Sequence, residues 1–464
     1  MDVKGKRVLV VGLGKSGIAS ALFLADHGAR VAVSDTKSEE DLHYEIPQLL
    51  DRGIGVEAGY HGERTFKEQE LIVISPGVPS DVPQLMQARQ AGIPVIGEVE
   101  LAARYLKGQI VAITGSNGKT TTTSLAGEIV AASGKSTLVG GNIGTPAISF
   151  VETATDDTWI VLEVSSFQLE TIETFRPKIA VVLNVTPDHL DRHHTFENYV
   201  AAKTRIFENQ TSSDFAVLNA DDPSCVAMAG KTKAPVYWFS RQHLVEHGAF
   251  VRNENIVWHD ADNEQIVMPV SEIALKGAHN LENVLAAVCA GLLAGVDPAD
   301  IRRAVANFKA VEHRLEYVAT IRGVEYYNDS KATNVDATIK ALESFPAGVH
   351  LILGGKDKGS DYSVLSPLLA QRVKRVYTIG AAAPKIESQI KGTQIVSVGT
   401  LDNAVRRAAE SATPGDIVLL APACASFDQF VSYEHRGRVF KDLVKQIESR
   451  ELQHAGGRRA GGDD

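Results

Sequence analysis

The sequence is short of cysteine, of basic surplus and of long apolar runs, and each shortage removes a class of protein. Its three cysteines, Cys225, Cys289 and Cys424, are scattered through 464 residues and form no CxxC pair. That fits a reducing compartment and gives no zinc-binding pattern. Lysine and arginine number 47 against 57 aspartates and glutamates, a formal charge of −10, so no nucleic-acid partner is expected. The longest apolar run, Val284–Val296, is too short to span a bilayer and reads as a buried helix. Lys4, Lys6 and Arg7 ahead of an apolar stretch resemble a secretion signal, but Gly12, Gly14, Lys15 and Ser16 interrupt it at once. There is no internal repeat and no coiled-coil pattern. A cytoplasmic protein that does not enter the membrane is expected.

What is present is ordinary globular composition, 44% hydrophobic and 22% charged, in a length that suggests about three domains. Residues 1–108 alternate strand and helix signals: Arg7–Val11, Ala29–Ser34 and Leu71–Ser75 as strands, Ser16–Gly28 as a helix. A second stretch, 109–310, opens with the strand Gln109–Thr114 and continues with the apolar runs Trp159–Val164 and Ile179–Val185, which suit a sheet covered on both faces. Within it, residues 236–273 change to short strands and turn residues such as Arg252-Asn253-Glu254-Asn255, and predict antiparallel hairpins. A helix is expected over Asn280–Gly295. The third stretch, 311–452, returns to alternating units with strands at Val349–Leu353, Arg375–Ile379, Gln394–Val398 and Asp416–Leu420. The remainder, 453–464, is rich in Gly, Arg and Asp and reads as a disordered tail. The fold class is therefore α/β in three domains with mostly parallel sheets.

The strongest chemical signal is the strand–loop–helix segment containing Gly115-Ser116-Asn117-Gly118-Lys119-Thr120-Thr121. Backbone N–H groups at such a helix start bind phosphate oxygens, Lys119 neutralises the β/γ-phosphates, and the Thr120 hydroxyl ligates Mg²⁺. The usual pattern has a glycine at 113, where this chain has Ile113, so the loop is a shortened variant. A second glycine loop, Gly12-Leu-Gly14-Lys-Ser-Gly17, follows the first strand, and Asp35 ends the next at dinucleotide-like spacing. Alone it predicts NAD and a dehydrogenase. A UDP-sugar also carries a pyrophosphate, however, and two phosphate cradles fit an enzyme that holds ATP beside another nucleotide. Glu163 closes an apolar strand where ligands gather in open α/β sheets, within possible reach of a metal on Thr120. Asp188 and His189 lie beyond another strand end and suit a metal or phosphate site. Lys203 lies on a helical pattern and reads, on residue chemistry alone, as an ordinary exposed lysine.

Taken together, these segments resemble the Mur ligases over nearly the whole chain. The resemblance is carried by Gly115–Thr121, Glu163–Glu170, Asn184–Arg192, Gly277–Asn283, His313-Arg314 and Asn328–Asn334. Gly354–Lys358 and Ala421–Phe430 are most like the D-glutamate-adding branch. The resemblance implies a Rossmann-like UDP-binding domain, a central phosphate-loop ATPase-like domain and a C-terminal Rossmann-like amino-acid domain. It implies a monomeric ligase of cytoplasmic peptidoglycan precursor synthesis that uses ATP, with two Mg²⁺ ions, to join D-glutamate to UDP-N-acetylmuramoyl-L-alanine. By position it assigns the UDP substrate to Gly14, Lys15, Ser16, Asp35, Thr36, Ser75, Pro76 and Gly77, with Asn142 and His189 on the muramoyl-alanine. ATP falls to Gly115, Ser116, Asn117, Gly118, Lys119, Thr120 and Thr121, with Asn280, Asn283, Arg314 and Asp329. D-Glutamate falls to Thr333, Lys358, Ser426, Phe427 and Tyr433, the last standing where phenylalanine is common. Catalytic roles fall to Lys119, Glu163, His189, Lys203 and Lys331. The metal set is Thr120, Glu163, His189 and Lys203, the lysine N-carboxylated. A folylpolyglutamate synthase shares the short phosphate loop but has no need of the N-terminal glycine loop, and the Asp-Asn-Pro-Arg string of the diaminopimelate-adding relative is missing. A switch that hydrolyses ATP without an amino acid is the remaining alternative. Hinge residues are expected near 310–312.

Overall fold

Alternating apolar strands and amphipathic helices build three sheets in a computed structural model, which describes residues 1–261, 263–275, 277–309 and 312–459. The first sheet has five parallel strands, β1 (Arg7–Val11), β2 (Arg30–Asp35), β3 (Gly55–Ala58), β4 (Leu71–Ile74) and β5 (Val95–Gly97), in the order β3-β2-β1-β4-β5. The order reverses beside β1, so the loops after β1 and β4 open a crevice at the strands' carboxyl ends, where such sheets bind ligands.

The second sheet has nine strands: β6 (Gln109–Thr114), β7 (Thr137–Gly141), β8 (Trp159–Glu163), β9 (Ile179–Val182), β10 (Phe215–Asn219), β11 (Val236–Ser240), β12 (Gly248–Arg252), β13 (Asn255–Asp260) and β14 (Asn263–Pro269). They run β14-β13-β12-β11-β10-β9-β6-β8-β7. β6 lies between β9 and β8, all three almost wholly buried, so the phosphate loop springs from the inside of the sheet. The expected hairpins are present over β12–β13–β14, although β11 pairs in parallel with both neighbours. Arg252 faces Asn255 across a two-residue turn in which Asn253 and Glu254 both have positive φ, 49° and 57°. That turn matches the right-handed twist of the two strands.

The third sheet comprises β15 (Glu316–Ile321), β16 (Val324–Asn328), β17 (Val349–Gly354), β18 (Val373–Ile379), β19 (Ile395–Gly399) and β20 (Ile417–Leu420), ordered β15-β16-β20-β17-β18-β19 with only β15 antiparallel. Strands β17 and β20 are buried at every position and carry at their carboxyl ends the 354–358 and 421–426 loops.

The chain divides into two compact units. One holds the first two sheets and the helix residues Leu281–Phe308. The other takes Thr186–Phe196, Ala274–Asn280 and the chain from Lys309 onward. The final helix, Tyr433–Arg459, continues past residue 452, so 453–459 are helical where a disordered tail is expected. The last five residues of that tail, and residues 310–311 of the expected hinge, lie outside the described residues.

Candidate functional site

In the first unit, Gly12, Leu13, Gly14, Lys15, Ser16, Asp35, Thr36, Ser75, Pro76 and Gly77 line one cavity of about 620 Å³. The structure thus brings together eight of the ten positions expected to hold the UDP substrate. The three glycines differ in why they are glycine. A Cβ on Gly12, whose φ is +87°, would lie 2.7 Å from Val78 Cγ2, and one on Gly17 would lie 1.8 Å from the Gly12 carbonyl oxygen. Both are demanded by local packing. Among the described residues nothing lies within 4 Å of a Cβ on Gly14, so a ligand has room at the start of the helix Lys15–Asp26. Asp35 braces the crevice, its Oδ2 accepting from the Leu13 amide at 2.6 Å and its Oδ1 from the Lys37 amide at 2.8 Å.

The phosphate loop has Gly115 at φ +153° and Gly118 at +84°, backbone that side chains rarely adopt. Asn184, at the end of the neighbouring apolar run, fixes it. Its backbone oxygen accepts from the Ser116 amide at 2.9 Å, its Oδ1 accepts from the Asn117 amide at 2.9 Å, and its Nδ2 donates to the Asn117 oxygen at 3.2 Å. The Ser116 hydroxyl meets the Tyr199 hydroxyl at 3.1 Å. Lys119 Nζ donates to the Gly115 and Ser116 oxygens, each at 2.8 Å. Thr120 and Thr121 are buried in the first turn of the helix Lys119–Ala132. Asn283 accepts from Thr122 at 3.3 Å, and a Cβ on Gly118 would lie 2.1 Å from Asn283 Oδ1. Asn283 therefore packs against the back of the loop.

Glu163 is 1% exposed. One carboxylate oxygen accepts from the Thr120 hydroxyl at 2.8 Å and the other from Asn142 Nδ2 at 2.8 Å. A hydroxyl and a carboxylate in contact at a phosphate-loop helix are a hard oxygen donor set and fit Mg²⁺. Asn142, expected on the muramoyl-alanine, is here a partner of Glu163. Lys203 is not the exposed lysine that its residue pattern suggests. It is 1% exposed, its Nζ donates to the Gly115 oxygen at 2.9 Å, and it sits 4.6 Å from the centroid of the Tyr199 ring. A charged ammonium so deeply buried costs free energy, and its place beneath the loop is the reason to look for chemistry there. Sequence reasoning missed Asn184 and Tyr199 as loop supports, because neither contact leaves a local signal.

In the second unit, Asn280 and Arg314 line a cavity of about 480 Å³ walled by Tyr317, Tyr327 and Phe345. Arg314 Nε is shielded from solvent and has no hydrogen-bond partner among the described residues. A buried donor in an aromatic-lined cavity fits a nucleotide base or ribose. Burial pushes the Asp329 carboxyl up to about 7, with Arg314 opposing. Burial, joined by Lys340 and Arg314, holds the His279 imidazole down to about 4. Lys331 Nζ lies 3.8 Å from the Tyr433 ring centroid, a cation–π distance.

The 354–358 and 421–426 loops are tied by paired backbone hydrogen bonds between Lys356 and Ala425, at 2.8 and 3.1 Å. Fully buried Arg436 lies beneath them, its Nη2 donating to the Ser330 and Cys424 oxygens at 2.8 and 3.1 Å. Of the positions expected at D-glutamate, Ser426 is buried, Thr333 is half-buried and Phe427 is 67% exposed. Lys358 Nζ lies 3.3 Å from Asp188 Oδ1, and Asn334 donates to Asp188 Oδ2 at 3.0 Å. His189, in the left-handed region at φ 54°, has Nε2 at 3.5 Å from the same carboxylate. The structure thus groups Thr120, Glu163 and Lys203 at the loop in one unit, and His189 with Asp188 and Lys358 in the other.

Parallel sheets with two phosphate-type loops, one bearing a Thr–Glu donor pair, define a nucleotide-using α/β enzyme. Three family models match consecutive stretches: the Mur ligase MurD-like N-terminal domain over residues 6–97, the Mur ligase middle domain over 113–291, and the Mur ligase glutamate ligase domain over 313–424. The chain belongs to the Mur ligase family. It is 68% identical over 451 residues to the UDP-N-acetylmuramoylalanine–D-glutamate ligase of Koribacter versatilis (strain Ellin345), covering 97% of this chain and 100% of the relative. It is 61% identical to the ligase of the same name from Acidobacterium capsulatum, covering 96% and 97%. Among solved structures, the UDP-N-acetylmuramate-alanine ligase MurC of Thermotoga maritima shares the fold with a TM-score of 0.60 at 19% identity, covering 96% of this chain and 100% of that one.

Proposed function

We propose that the chain is an ADP-forming ligase that joins D-glutamate to UDP-N-acetylmuramoyl-L-alanine in peptidoglycan precursor synthesis, working as a monomer in the cytoplasm. No helix among the described residues is long and apolar enough to cross a membrane. Residues 1–108 serve as the UDP-substrate domain, 109–310 as the ATP domain and 311–452 as the amino-acid domain. The observation that carries the reading is the contact of Thr120 with Glu163 at 2.8 Å at the head of the phosphate-loop helix, in a chain similar along its whole length to ligases of that name.

The reaction needs activation because a carboxylate oxygen is a poor leaving group. The alanyl carboxylate attacks the γ-phosphorus of ATP, the bond to the β-phosphate oxygen breaks, and an acyl phosphate and ADP form. The D-glutamate amine adds to the acyl carbon, loses a proton, and phosphate leaves with the bond's electron pair. Lys119, now on the loop carbonyls, turns to the β/γ-phosphates when nucleotide enters, and the amides of the Gly115–Thr121 turn stabilise charge on the transferring group. Thr120, Glu163, His189 and an N-carboxylated Lys203 would hold two Mg²⁺ ions, which would supply Lewis-acid neutralisation of phosphate charge. Carboxylation removes the buried positive charge of Lys203 and gives an anionic ligand in its place. Asn280, Asn283, Arg314 and Asp329 lie around the nucleotide, and Lys331 approaches the phosphates. Asn142 and His189 would contact the muramoyl-alanine portion. Thr333, Lys358, Ser426, Phe427 and Tyr433 take D-glutamate, Lys358 exchanging Asp188 for a substrate carboxylate.

Phosphate release measured with UDP-N-acetylmuramoyl-L-alanine and a panel of amino acids tests this reading. D-Glutamate alone should support turnover. Release with no amino acid, or equally with L-glutamate, contradicts it.

A further inference from the structure

We propose that His61 reads the base of the bound nucleotide, its Nε2 accepting a hydrogen bond from the N3–H of uracil in the 620 Å³ cavity. The proposal rests on that cavity being the UDP site. His61 lines the cavity together with Asp35, Thr36 and the apolar Pro76, Val78 and Val82, which suit the flat faces of a pyrimidine. No residue-pattern signal marks it; it follows β3 and precedes the short helix Glu63–Lys67.

The tautomer follows from its neighbours. The buried Ser34 hydroxyl lies 3.0 Å from Glu57 Oε2, 3.3 Å from the Tyr60 carbonyl oxygen and 2.8 Å from His61 Nδ1. A carboxylate only accepts, and with the hydroxyl proton donated to ionised Glu57 the bond to His61 is made by Nδ1–H, which leaves Nε2 as the acceptor of a neutral ring. Glu57 is ionised: burial favours its neutral form, but hydrogen bonds from Thr65, Gly62 and Ser34, and nearby His61, hold its pKa below the ordinary value. Burial keeps the His61 imidazole below its ordinary value, against the pull of Asp35 and Glu57, and so keeps it neutral at physiological pH. The ring cannot easily turn. It is held at Nδ1 by the Ser34 hydroxyl at 2.8 Å and packs T-shaped against Phe66 at a centroid distance of 5.4 Å.

The chemistry discriminates between pyrimidines. Uracil offers an imide N3–H donor between two carbonyl acceptors, whereas N3 of cytosine is itself an acceptor and would face the Nε2 lone pair. A site built to pair one donor rejects an analogue that lacks it, because the acceptor that the bound base covers is left unsatisfied.

The test is calorimetric titration of the full chain with UDP, CDP and N3-methyl-UDP. The wild type should bind UDP about tenfold or more tighter than either analogue, the scale of one discriminating hydrogen bond. His61→Ala should bring both ratios to about threefold or less, and His61→Gln, which keeps an acceptor, should restore part of the preference. If His61→Ala keeps the wild-type ratios, the base is read elsewhere and the proposal fails. Gly14→Val separates the underlying reading: its side chain enters the open space at the helix start and should weaken UDP, CDP and N3-methyl-UDP alike. UDP affinity unchanged in Gly14→Val overturns the UDP assignment of the cavity itself.

Discussion

Removing the Glu100 carboxylate should loosen the first sheet from the second, and the size of the effect can be worked from its contacts. Glu100 is fully buried in the helix Glu98–Ala103, immediately after β5. Its Oε2 accepts from three successive amides, Glu173 at 2.8 Å, Thr174 at 2.9 Å and Phe175 at 2.9 Å. Its Oε1 accepts from the Thr174 hydroxyl at 2.6 Å and from Arg104 Nε at 2.8 Å. Glu100→Ala strands these donors. Arg104 keeps Glu173 as a partner at 2.6 Å, so the three amides dominate the cost. At about 1–3 kcal/mol for each stranded donor, with partial relaxation, the loss is about 4 kcal/mol, in the range for breaking a buried charge pair. Glu100→Gln, which keeps one acceptor, should lose about half of that.

All three tryptophans, Trp159, Trp238 and Trp258, lie in the first unit, so urea unfolding followed by tryptophan fluorescence reads the affected part of the chain. Acid dependence gives a second readout. Burial alone would raise the Glu100 pKa, but the Glu173 amide, the Thr174 hydroxyl and Arg104 outweigh it and hold it below the ordinary 4.5. A depressed carboxyl stabilises the fold above its unfolded pKa, and that contribution drains as pH falls below about 4.5 through the folded value. The acid limb of stability should therefore be shallower in Glu100→Ala. A loss below about 1 kcal/mol, or an unchanged acid limb, would show that the Glu100 carboxylate does not hold this turn.

Glu98 should behave in the opposite sense. Burial pushes its carboxyl up to about 7, opposed by the Ile148 and Ala147 amides, and its Oε2 has no partner among the described residues. The folded state then holds the proton longer than the unfolded chain, so stability declines as pH rises from about 4.5 to 7. Glu98→Gln should remove that decline and be more stable than the wild type at pH 8 by on the order of 2–3 kcal/mol; equal stability of the two proteins at pH 8 contradicts this. At the phosphate loop, Lys203→Ala should lose turnover by about a hundredfold or more while leaving the fold intact, and formate or acetate should restore part of it by supplying the missing anionic ligand. Steady-state rates with and without these salts check it, and undiminished turnover in the variant would remove Lys203 from the site.

Much of this could be read from residues alone where the cause is local. The runs at Arg7–Val11, Gln109–Thr114 and Trp159–Glu163 are apolar because each strand is covered on both faces, and the turn at Asn253-Glu254 announces its hairpin. Gly115–Thr121 is legible because a phosphate cradle is built from consecutive amides. The omissions have physical causes too. β3 is half-exposed at a sheet edge, β5 has three residues, and β7 ends in two glycines. The edge hairpin β15–β16 places exposed and buried residues alternately, so no continuous apolar run marks it. Lys203 sits on a helix whose pattern says nothing of burial, because Gly115, which receives its ammonium, is 88 residues away. The same separation hides Asn184 from the loop that it fixes, and Glu100 from the turn that it holds.

If the substrate acid is phosphorylated before the amine arrives, one of its own oxygens ends in the released phosphate. UDP-N-acetylmuramoyl-L-alanine labelled with ¹⁸O in the alanyl carboxylate is turned over with ATP and D-glutamate, and the released phosphate is weighed by mass spectrometry. An acyl phosphate requires one carboxylate oxygen to leave with the phosphorus, so the phosphate should carry one ¹⁸O per peptide bond formed. Unlabelled phosphate, with peptide bond formation intact, would rule out an acyl phosphate.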